Sequence, residues 1–259
     1  MSTDQPFLAI TIGNTRTNVA SISGDKFGDQ NSFDSTETST IIDYSLKQWK
    51  ILDGENPQII IATSNDETNK TITAALSDQT SRPIWQIGED IPAAIGQHLD
   101  PETITGVDRL LNAIAAWDIC KQACIVIDAG TCVTVDFVDG EGTFHGGAIA
   151  PGARMQLQAM HNGTSALPEV EFTAPLQEAF GKNTSQAMLQ GVFHGIQGMV
   201  RILSEQYAAR YGAYPRIIAT GGDAETLFKD DDLIEDIIPN LQMQGIAVSV
   251  RFALAEEDA

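Results

Sequence analysis

Residues 10–17 read ITIGNTRT, and residues 127–134 read IDAGTCVT. In each stretch an apolar strand leads into a glycine turn, and a second strand leaves it. The two stretches align so that Gly13 falls on Gly130. We interpret them as an internal duplication, in which one β-hairpin opens each half of the chain.

The rest of the chain alternates between strand and helix patterns. Residues 58–63 form an apolar run typical of a buried strand, whereas residues 107–122 and 186–211 have the apolar spacing of helices. Such alternation indicates an α/β layered fold. We expect two α/β domains, at residues 1–117 and 118–259, each with a mixed sheet flanked by helices and with a cleft between them.

The composition is that of a globular protein with a strong negative charge. Asp and Glu total 35 against 15 Lys and Arg, which gives a formal net charge of −20 over 259 residues. This charge disfavours binding to nucleic acids and to anionic membranes. No apolar run approaches the ~18 residues that span a bilayer, and the polar N-terminus lacks a secretory pattern. We therefore expect a cytoplasmic location.

The cysteines and histidines show no metal-binding spacing. Cys120, Cys124 and Cys132 are too few and wrongly spaced for a structural zinc site, and their odd number argues against a disulfide framework. We interpret Cys120 and Cys124 as small buried side chains. His98 and His145 likewise predict no metal cluster.

Residues 128–131, DAGT, combine the groups that phosphoryl transfer requires. Glycine lets the backbone approach phosphate oxygens, threonine adds a hydroxyl donor, and a carboxylate at a strand end can hold a metal ion. The same tetrapeptide also suits a plain hairpin with an Asx turn. Its partial repetition at residues 11–14 favours the phosphate-binding interpretation.

Two other short segments carry candidate groups. Residues 220–222, TGG, follow a strand and precede a helix, so the glycine backbone could lie against an adenosine ring or simply begin the helix. Residues 106–109, GVDR, place a carboxylate and a guanidinium at the start of a predicted helix, near the positive end of its dipole. The alternative there is an acidic residue that stabilises the helix, with Arg109 in a surface ion pair.

The duplicated α/β domain with a glycine hairpin in each copy resembles the superfamily of actin-like ATPases and sugar kinases, which have ribonuclease H-like domains. Seven motifs in order resemble, more narrowly, the type III pantothenate kinase family. The resemblance covers nearly the whole chain and is densest between Gly106 and Gly195. The motifs are GNT at 13–15, GVDR at 106–109, DAGT at 128–131, GGAIAPG at 146–152, LP at 167–168, GKNT at 181–184 and TGG at 220–222.

The resemblance implies ATP- and Mg²⁺-dependent phosphorylation of pantothenate to 4'-phosphopantothenate, the first step of coenzyme A biosynthesis. By this resemblance Asp108 is the catalytic base, and Arg109 binds the substrate together with Gly106 and Val107. Thr184 would reach pantothenate from the partner subunit, which implies a homodimer.

The resemblance also implies a nucleotide site and a cation site. Asp128 corresponds to the ligand of a monovalent cation, K⁺ or NH₄⁺. Both glycine turns and the TGG segment would contact ATP. The implied ATP-binding residues are Thr11, Ile12, Gly13, Asn14, Thr15, Arg16, Gly130, Thr131, Gly221 and Gly222.

An apolar stripe on the long predicted helix could serve the implied dimer. Burial of the stripe in the core of its own subunit explains the same pattern equally well. Both interpretations remain open at this stage. The stripe contains Met188, Val192, Ile196 and Met199.

The sequence departs from the family pattern at Thr11. The family's first motif reads Asp-x-Gly-Asn-Thr, and Thr11 holds the position of the Asp; the internal alignment also places Thr11 against Asp128. A hydroxyl cannot neutralise Mg²⁺ as a carboxylate does, and such a loss commonly costs on the order of 10²-fold in rate. A milder departure is His98, near a position where the family often has an aromatic residue.

Three alternatives follow from this departure. The chain is an active kinase whose metal is held by other groups and water, or it is a slow kinase. In the third alternative it is a homologue that binds a ligand without efficient transfer and acts as a binding or regulatory protein.

Overall fold

The structure is a computed structural model that describes residues 5–24, 26–52 and 57–257. Within these ranges, no helix combines the length and the apolar character needed to cross a bilayer.

The strands of the described residues form one five-stranded and one six-stranded mixed sheet. The strand predicted at residues 58–63 is confirmed. The third strand was not predicted, because its side chains are polar and exposed except for Phe33. The strands are β1 (Phe7–Ile12), β2 (Arg16–Ser23), β3 (Lys26–Asp34), β4 (Gln58–Thr63), β5 (Ile84–Gln86), β6 (Gly96–Gln97), β7 (Cys124–Ala129), β8 (Cys132–Val138), β9 (Thr143–Pro151), β10 (Arg216–Thr220) and β11 (Asp236–Ile237).

Helices flank both sheets, and the two long helices predicted from apolar spacing are confirmed. The C-terminal segment is also a helix. The helices are α1 (Thr38–Ile51), α2 (Asp66–Thr80), α3 (Val107–Cys120), α4 (Ala153–Gly163), α5 (Thr184–Tyr211), α6 (Ala224–Phe228) and α7 (Leu241–Glu257).

The two sheets repeat one topology. Their strand orders are β3-β2-β1-β4-β5 and β9-β8-β7-β10-β11, with β6 added beside β9. β1 is antiparallel to β2 and parallel to β4. β7 is likewise antiparallel to β8 and parallel to β10. The internal duplication inferred from the two glycine hairpins is therefore present in the fold.

The chain divides into two compact units. Unit 1 comprises the described residues up to Ile95, Glu102–Asp118 and the chain from Leu241 onward. Unit 2 comprises Gly96–Pro101 and Ile119–Asn240. The division between Asp118 and Ile119 lies beside the boundary expected between residues 117 and 118. The described chain from Leu241 to Glu257, which we had assigned to the second domain, groups with unit 1.

The position of α7 follows from its apolar side chains. Met243, Ile246 and Val250 are buried in one cluster with Phe7 and Ala9 of β1. The alternate residues of β1 pack in a second cluster together with side chains of α1 and α2. Apolar side chains therefore pack against both faces of the unit 1 sheet, and α7 packs against one of these faces.

The core of unit 2 contains the apolar stripe of α5. Met188, Val192 and Ile196 are buried against β7 and β8 side chains, and Met199 packs against the same cluster. The stripe is therefore part of the core of its own subunit, because these side chains pack within unit 2. They are not available as the surface of a dimer.

The cysteines differ in burial. Cys124 is buried as predicted, but the same prediction was wrong for Cys120, which is partly exposed, as is Cys132. A hydrogen bond with Cys120, together with burial, raises the pKa of the Cys124 thiol far above its ordinary value. The Cys124 thiol therefore stays protonated, as expected for a small structural side chain.

Candidate functional site

The first glycine turn, in unit 1, joins β1 to β2. The Gly13 amide donates to the Arg16 carbonyl at 2.9 Å, which closes the turn and exposes the side chains between them. Ser35, buried beneath the turn, donates its hydroxyl to the Gly13 carbonyl at 2.8 Å and its amide to the Thr15 carbonyl at 3.0 Å. Ser35 therefore engages two carbonyl dipoles that would repel a phosphate. No sequence pattern had pointed to Ser35.

Thr11 lies on β1 just before this turn and is only 3% exposed. It pairs in register with Asn18 of β2, whose Nδ2 donates to the Thr11 Oγ1 at 3.1 Å. In the second hairpin, Asp128 pairs with Thr134 instead. The same position of the repeat thus holds a neutral hydroxyl in unit 1 and a carboxylate in unit 2.

The second glycine turn, in unit 2, surrounds Asp128 with backbone. The Gly130 amide donates to the Cys132 carbonyl at 2.9 Å to close this turn. A Cβ built on Gly221 would lie 2.5 Å from the Asp128 Oδ1, and one on Gly130 would lie 3.5 Å from it. Gly221 also has a φ of +97°, which favours glycine. A side chain at position 221 would therefore collide with the half-buried carboxylate, whereas one at position 130 would only touch it.

The register of the sheet brings these segments together. β7 and β10 are parallel, with Asp128 opposite Thr220, so both strands end at the same edge. The Asp223 amide donates to the Ala129 carbonyl at 2.9 Å, which ties the turn after β10 to the end of β7. Five residues that we had assigned to the cation and nucleotide sites converge at this edge of unit 2. They are Asp128, Gly130, Thr131, Gly221 and Gly222.

An ion pair between a buried carboxylate and an exposed guanidinium adds a third segment to this edge. The Asp223 carboxylate is 3% exposed and accepts two hydrogen bonds from the Arg154 Nη1, at 2.5 and 2.6 Å. Arg154 lies in the first turn of α4 and is mostly exposed, so it leaves one face of its guanidinium toward solvent. Sequence spacing could not reveal this pair, since 69 residues separate its members.

Gly152, before α4, also packs tightly at this edge. Its amide donates to the Thr131 carbonyl at 2.9 Å, and a Cβ there would collide with the Gly130 carbonyl oxygen. The GGAIAPG segment therefore ends in a glycine that lets α4 begin directly against the second turn.

Asp108 occupies the first turn of α3 in unit 1. Its Oδ1 accepts from the Arg109 amide at 2.9 Å, and a Cβ on Gly106 would lie 2.5 Å from the same oxygen. Gly245 of α7 approaches the Leu111 backbone so closely that a side chain there would collide with the Leu111 carbonyl. The packing of α7 thus fixes α3, and α3 fixes the half-buried Asp108.

Thr184 begins α5 and is exposed. The Asn183 side chain caps this helix by accepting from the Gln186 amide at 2.9 Å. The preceding segment folds back onto α5, where Gln190 donates to the Glu178 carbonyl at 2.6 Å. Phe180 in this segment is 79% exposed and lies close in sequence to Thr184.

Metal-binding groups are sparse among the residues that the structure describes. They contain no cluster of three or more histidine, cysteine, aspartate or glutamate side chains arranged to hold an ion. At the second glycine turn Asp128 offers a half-buried carboxylate, whereas the nearby Asp223 carboxylate is paired with Arg154. This fits Mg²⁺ held mainly by nucleotide phosphates and water, since Mg²⁺ often takes only one or two protein carboxylates.

The sequence model of one family, type III pantothenate kinase, matches residues 7–206. A protein named Type III pantothenate kinase from Rhodospirillum rubrum is 34% identical over 248 residues, which cover 93% of this chain and 96% of that protein. Another of the same name, from Roseobacter denitrificans, is 33% identical over 210 residues, covering 80% and 81%.

Solved structures show the same fold at low identity. Component A of (R)-2-hydroxyglutaryl-CoA dehydratase from Acidaminococcus fermentans gives a TM-score of 0.57 at 14% identity, over 98% of this chain and 99% of that one. Ethanolamine utilization protein EutJ from Carboxydothermus hydrogenoformans gives 0.52 at 12%, over 94% and 89%. The expected fold class, duplicated actin-like ATPase domains, is confirmed.

We expect Gly221→Ala to weaken ATP binding. The new Cβ would meet the Asp128 carboxylate and the Ala129 carbonyl, so the turn must move away from the end of β7. Displacements of about 1 Å can cost roughly 10²-fold in such sites. Isothermal titration calorimetry with Mg·ATP measures the change in Kd.

Gly88→Ala is the matched control, because Gly88 has a φ of +93° but no atom within 4 Å of its Cβ position. It imposes the same backbone strain without the collision, and ATP binding should be unchanged. Equal Kd values for both variants and the unaltered protein would show that the Gly221 contact does not shape the site.

Proposed function

The chain belongs to the type III pantothenate kinase family, and from this membership we propose that it transfers the γ-phosphoryl group of ATP to pantothenate. The product is 4'-phosphopantothenate, which begins coenzyme A biosynthesis. The observation that best supports this proposal is the convergence of Asp128, two glycine turns and the start of α4 at one edge of unit 2.

The edge of unit 2 suits the nucleotide. We assign the phosphates to the turn at Gly130 and Thr131, where backbone donors can approach closely. We assign the adenosine to Gly222, which is exposed and has no atom within 4 Å of its Cβ position. When bound, Mg²⁺ would neutralise charge on the phosphate oxygens.

We propose that Asp128 also serves a monovalent cation, K⁺ or NH₄⁺. A half-buried carboxylate bordered by carbonyl-bearing turns offers the hard oxygen ligands that such ions prefer. This cation would partly offset the repulsion between the phosphates and a chain with a formal charge of −20.

Asp108 is proposed as the general base. Its carboxylate is held at the start of α3 by the Arg109 amide, so it has a fixed position from which to accept the proton of the primary hydroxyl. Arg109, on the same turn, is proposed to bind the pantothenate carboxylate, for which a guanidinium is geometrically suited. Gly106 and Val107 complete this substrate-binding turn.

Thr11 determines how fast the reaction runs. Its hydroxyl accepts a hydrogen bond from Asn18 and contributes no negative charge for Mg²⁺. We propose a working but slow kinase, in which the first turn binds phosphate through residues 12–16 and the second turn supplies the carboxylate.

A homodimer is proposed from the region around Thr184. The apolar stripe of α5 is buried in its own unit, so a dimer must use other side chains. Phe180 and Leu176, 79% and 61% exposed, lie on the segment that leads into Thr184. Two such apolar side chains beside a substrate-binding residue favour an interface that brings Thr184 to the partner's substrate.

We expect Thr11→Asp to raise turnover of ATP and pantothenate by about 10²-fold, because it restores a carboxylate at the first turn. The Asn18 amide already donates to this position, so the buried carboxylate would have a hydrogen-bond partner. A coupled assay for ADP release, with Mg²⁺ and K⁺ present, measures kcat.

Two variants make this test specific. Thr71→Asp adds the same charge on the exposed surface of α2 and should leave kcat unchanged. Adding Asp108→Asn to Thr11→Asp should return turnover to background, because the base is removed. No gain from Thr11→Asp in a folded protein would contradict a deficient metal site. Absence of pantothenate turnover in every variant would favour a ligand-binding homologue.

We expect Phe180→Asp to convert the dimer to monomer and to lower kcat/KM for pantothenate at the same time. The added charge would be desolvated in the interface, and Thr184 would no longer reach its site. Light scattering coupled to size-exclusion chromatography measures the mass.

Tyr214→Asp is the control, because Tyr214 is 78% exposed but follows the other end of α5. It should leave both mass and activity unchanged. A monomeric but fully active Phe180→Asp protein would rule out a contribution of the partner to the site.

A further inference from the structure

Two histidine rings face each other on unit 2, although 47 residues separate them in the sequence. The Nδ1 atoms of His98 and His145 are 3.4 Å apart. Their rings are almost perpendicular, at 87°, with centroids 5.2 Å apart. Both side chains are exposed, so small ions and water can reach the space beside them.

The backbone holds both histidines in place. His98 directly follows β6, which pairs with β9, and its amide donates to the Phe144 carbonyl at 2.9 Å. His145 lies on β9 itself, next to Phe144. The Leu99 side chain packs close to Gly146, where a Cβ would lie 3.1 Å from it. The facing arrangement therefore follows from strand pairing and local packing.

Asp139 orients the His145 ring. The His145 Nε2 lies 2.7 Å from the Asp139 Oδ2, while the Oδ1 of the same carboxylate accepts from the Glu141 and Thr143 amides. A carboxylate only accepts hydrogen bonds, so the proton of the neutral ring is on Nε2. The Nδ1 lone pair then points toward His98. Phe137 packs on the ring with centroids 5.7 Å apart, which limits its rotation.

The distance between the two Nδ1 atoms matches a shared metal ion better than a hydrogen bond. An N–H donor usually lies about 2.7–3.2 Å from an oxygen acceptor, so the contact is long for a hydrogen bond. Two imidazole nitrogens at about 2.0–2.1 Å from one tetrahedral ion lie roughly 3.3–3.4 Å apart. The observed 3.4 Å falls in the second range.

We propose that His98 and His145 bind one divalent transition-metal ion through their Nδ1 atoms, with Asp139 as the positioning residue. Imidazole ligands select Zn²⁺, Ni²⁺ or Cu²⁺ over Mg²⁺, which prefers oxygen. A carboxylate that accepts from the second nitrogen of a metal-bound histidine is the usual outer partner of such sites. Water completes the coordination, since the His145 side chain is 34% exposed.

The ion would join a short segment to the sheet of unit 2. Gly96–Pro101 belongs to unit 2, whereas the chain on both sides of it belongs to unit 1. An ion between His98 and His145 would fasten this segment to β9 by a bond in addition to the β6 pairing. This site uses different ligands from the proposed kinase reaction and stands independently of it.

Calorimetric titration of tag-free, chelator-treated protein with NiCl₂ or ZnCl₂ at neutral pH tests the proposal. We expect one ion per chain, with affinity lowered at least about tenfold in His98→Asn and in His145→Asn. Asp139→Asn should weaken binding by about 10–100-fold, because the ring loses its orienting partner. His194→Asn, which removes an exposed histidine on α5, should bind as the unaltered protein does.

A second measurement does not depend on variants. In ¹⁵N–¹H spectra of the histidine rings, Zn²⁺ should shift the His98 and His145 signals first and leave those of His161 and His194 in place. Binding that persists unchanged in both His98→Asn and His145→Asn would locate the ion elsewhere, for example at the cysteines, and would overturn the proposal. Absence of binding, or early shifts at His194, would overturn it as well.

Discussion

The close approach of Gly221 to the Asp128 carboxylate constrains the geometry of the candidate site in unit 2. The parallel register of β7 and β10 brings the two strands to one edge, and only a glycine with a φ of +97° fits between the carboxylate and the Ala129 carbonyl. The Asp223 amide then fastens the turn after β10, and the Asp223–Arg154 pair connects that turn to α4.

Because the hairpin is duplicated, equivalent positions of its two copies can be compared directly. Both sheets have the same strand order, yet the equivalent position holds Asp128 in unit 2 and Thr11 in unit 1. The Thr11 hydroxyl is held by Asn18, whereas Asp128 borders two glycines. The hairpin of unit 2 therefore carries a negative charge suited to cations, whereas the hairpin of unit 1 has the glycine turn without that charge. The chain belongs to the type III pantothenate kinase family, and we propose that this single difference lowers the rate of transfer.

Sequence patterns identified the features that are formed by residues adjacent in the chain. The glycine turns, their repetition and the motif at Asp108 could be read from adjacent residues, and the fold class follows from them. Ser35 beneath the first turn and the Asp223–Arg154 pair could not, because their partners are brought together only by folding. The stripe on α5 was ambiguous, since helical periodicity does not distinguish a core from an interface. His98 and His145 showed no spacing pattern, because strand pairing alone makes them neighbours.

We propose that Asp128 binds the cation that the Thr11 hydroxyl cannot bind. Turnover of ATP and pantothenate as a function of K⁺ and Mg²⁺, compared between the unaltered protein and Asp128→Asn, tests this role. We expect activity to require both cations in the unaltered protein, and we expect the turnover of folded Asp128→Asn to be lower by about 10²-fold or more at every cation concentration. An Asp128→Asn protein with unaltered turnover and cation dependence would contradict it.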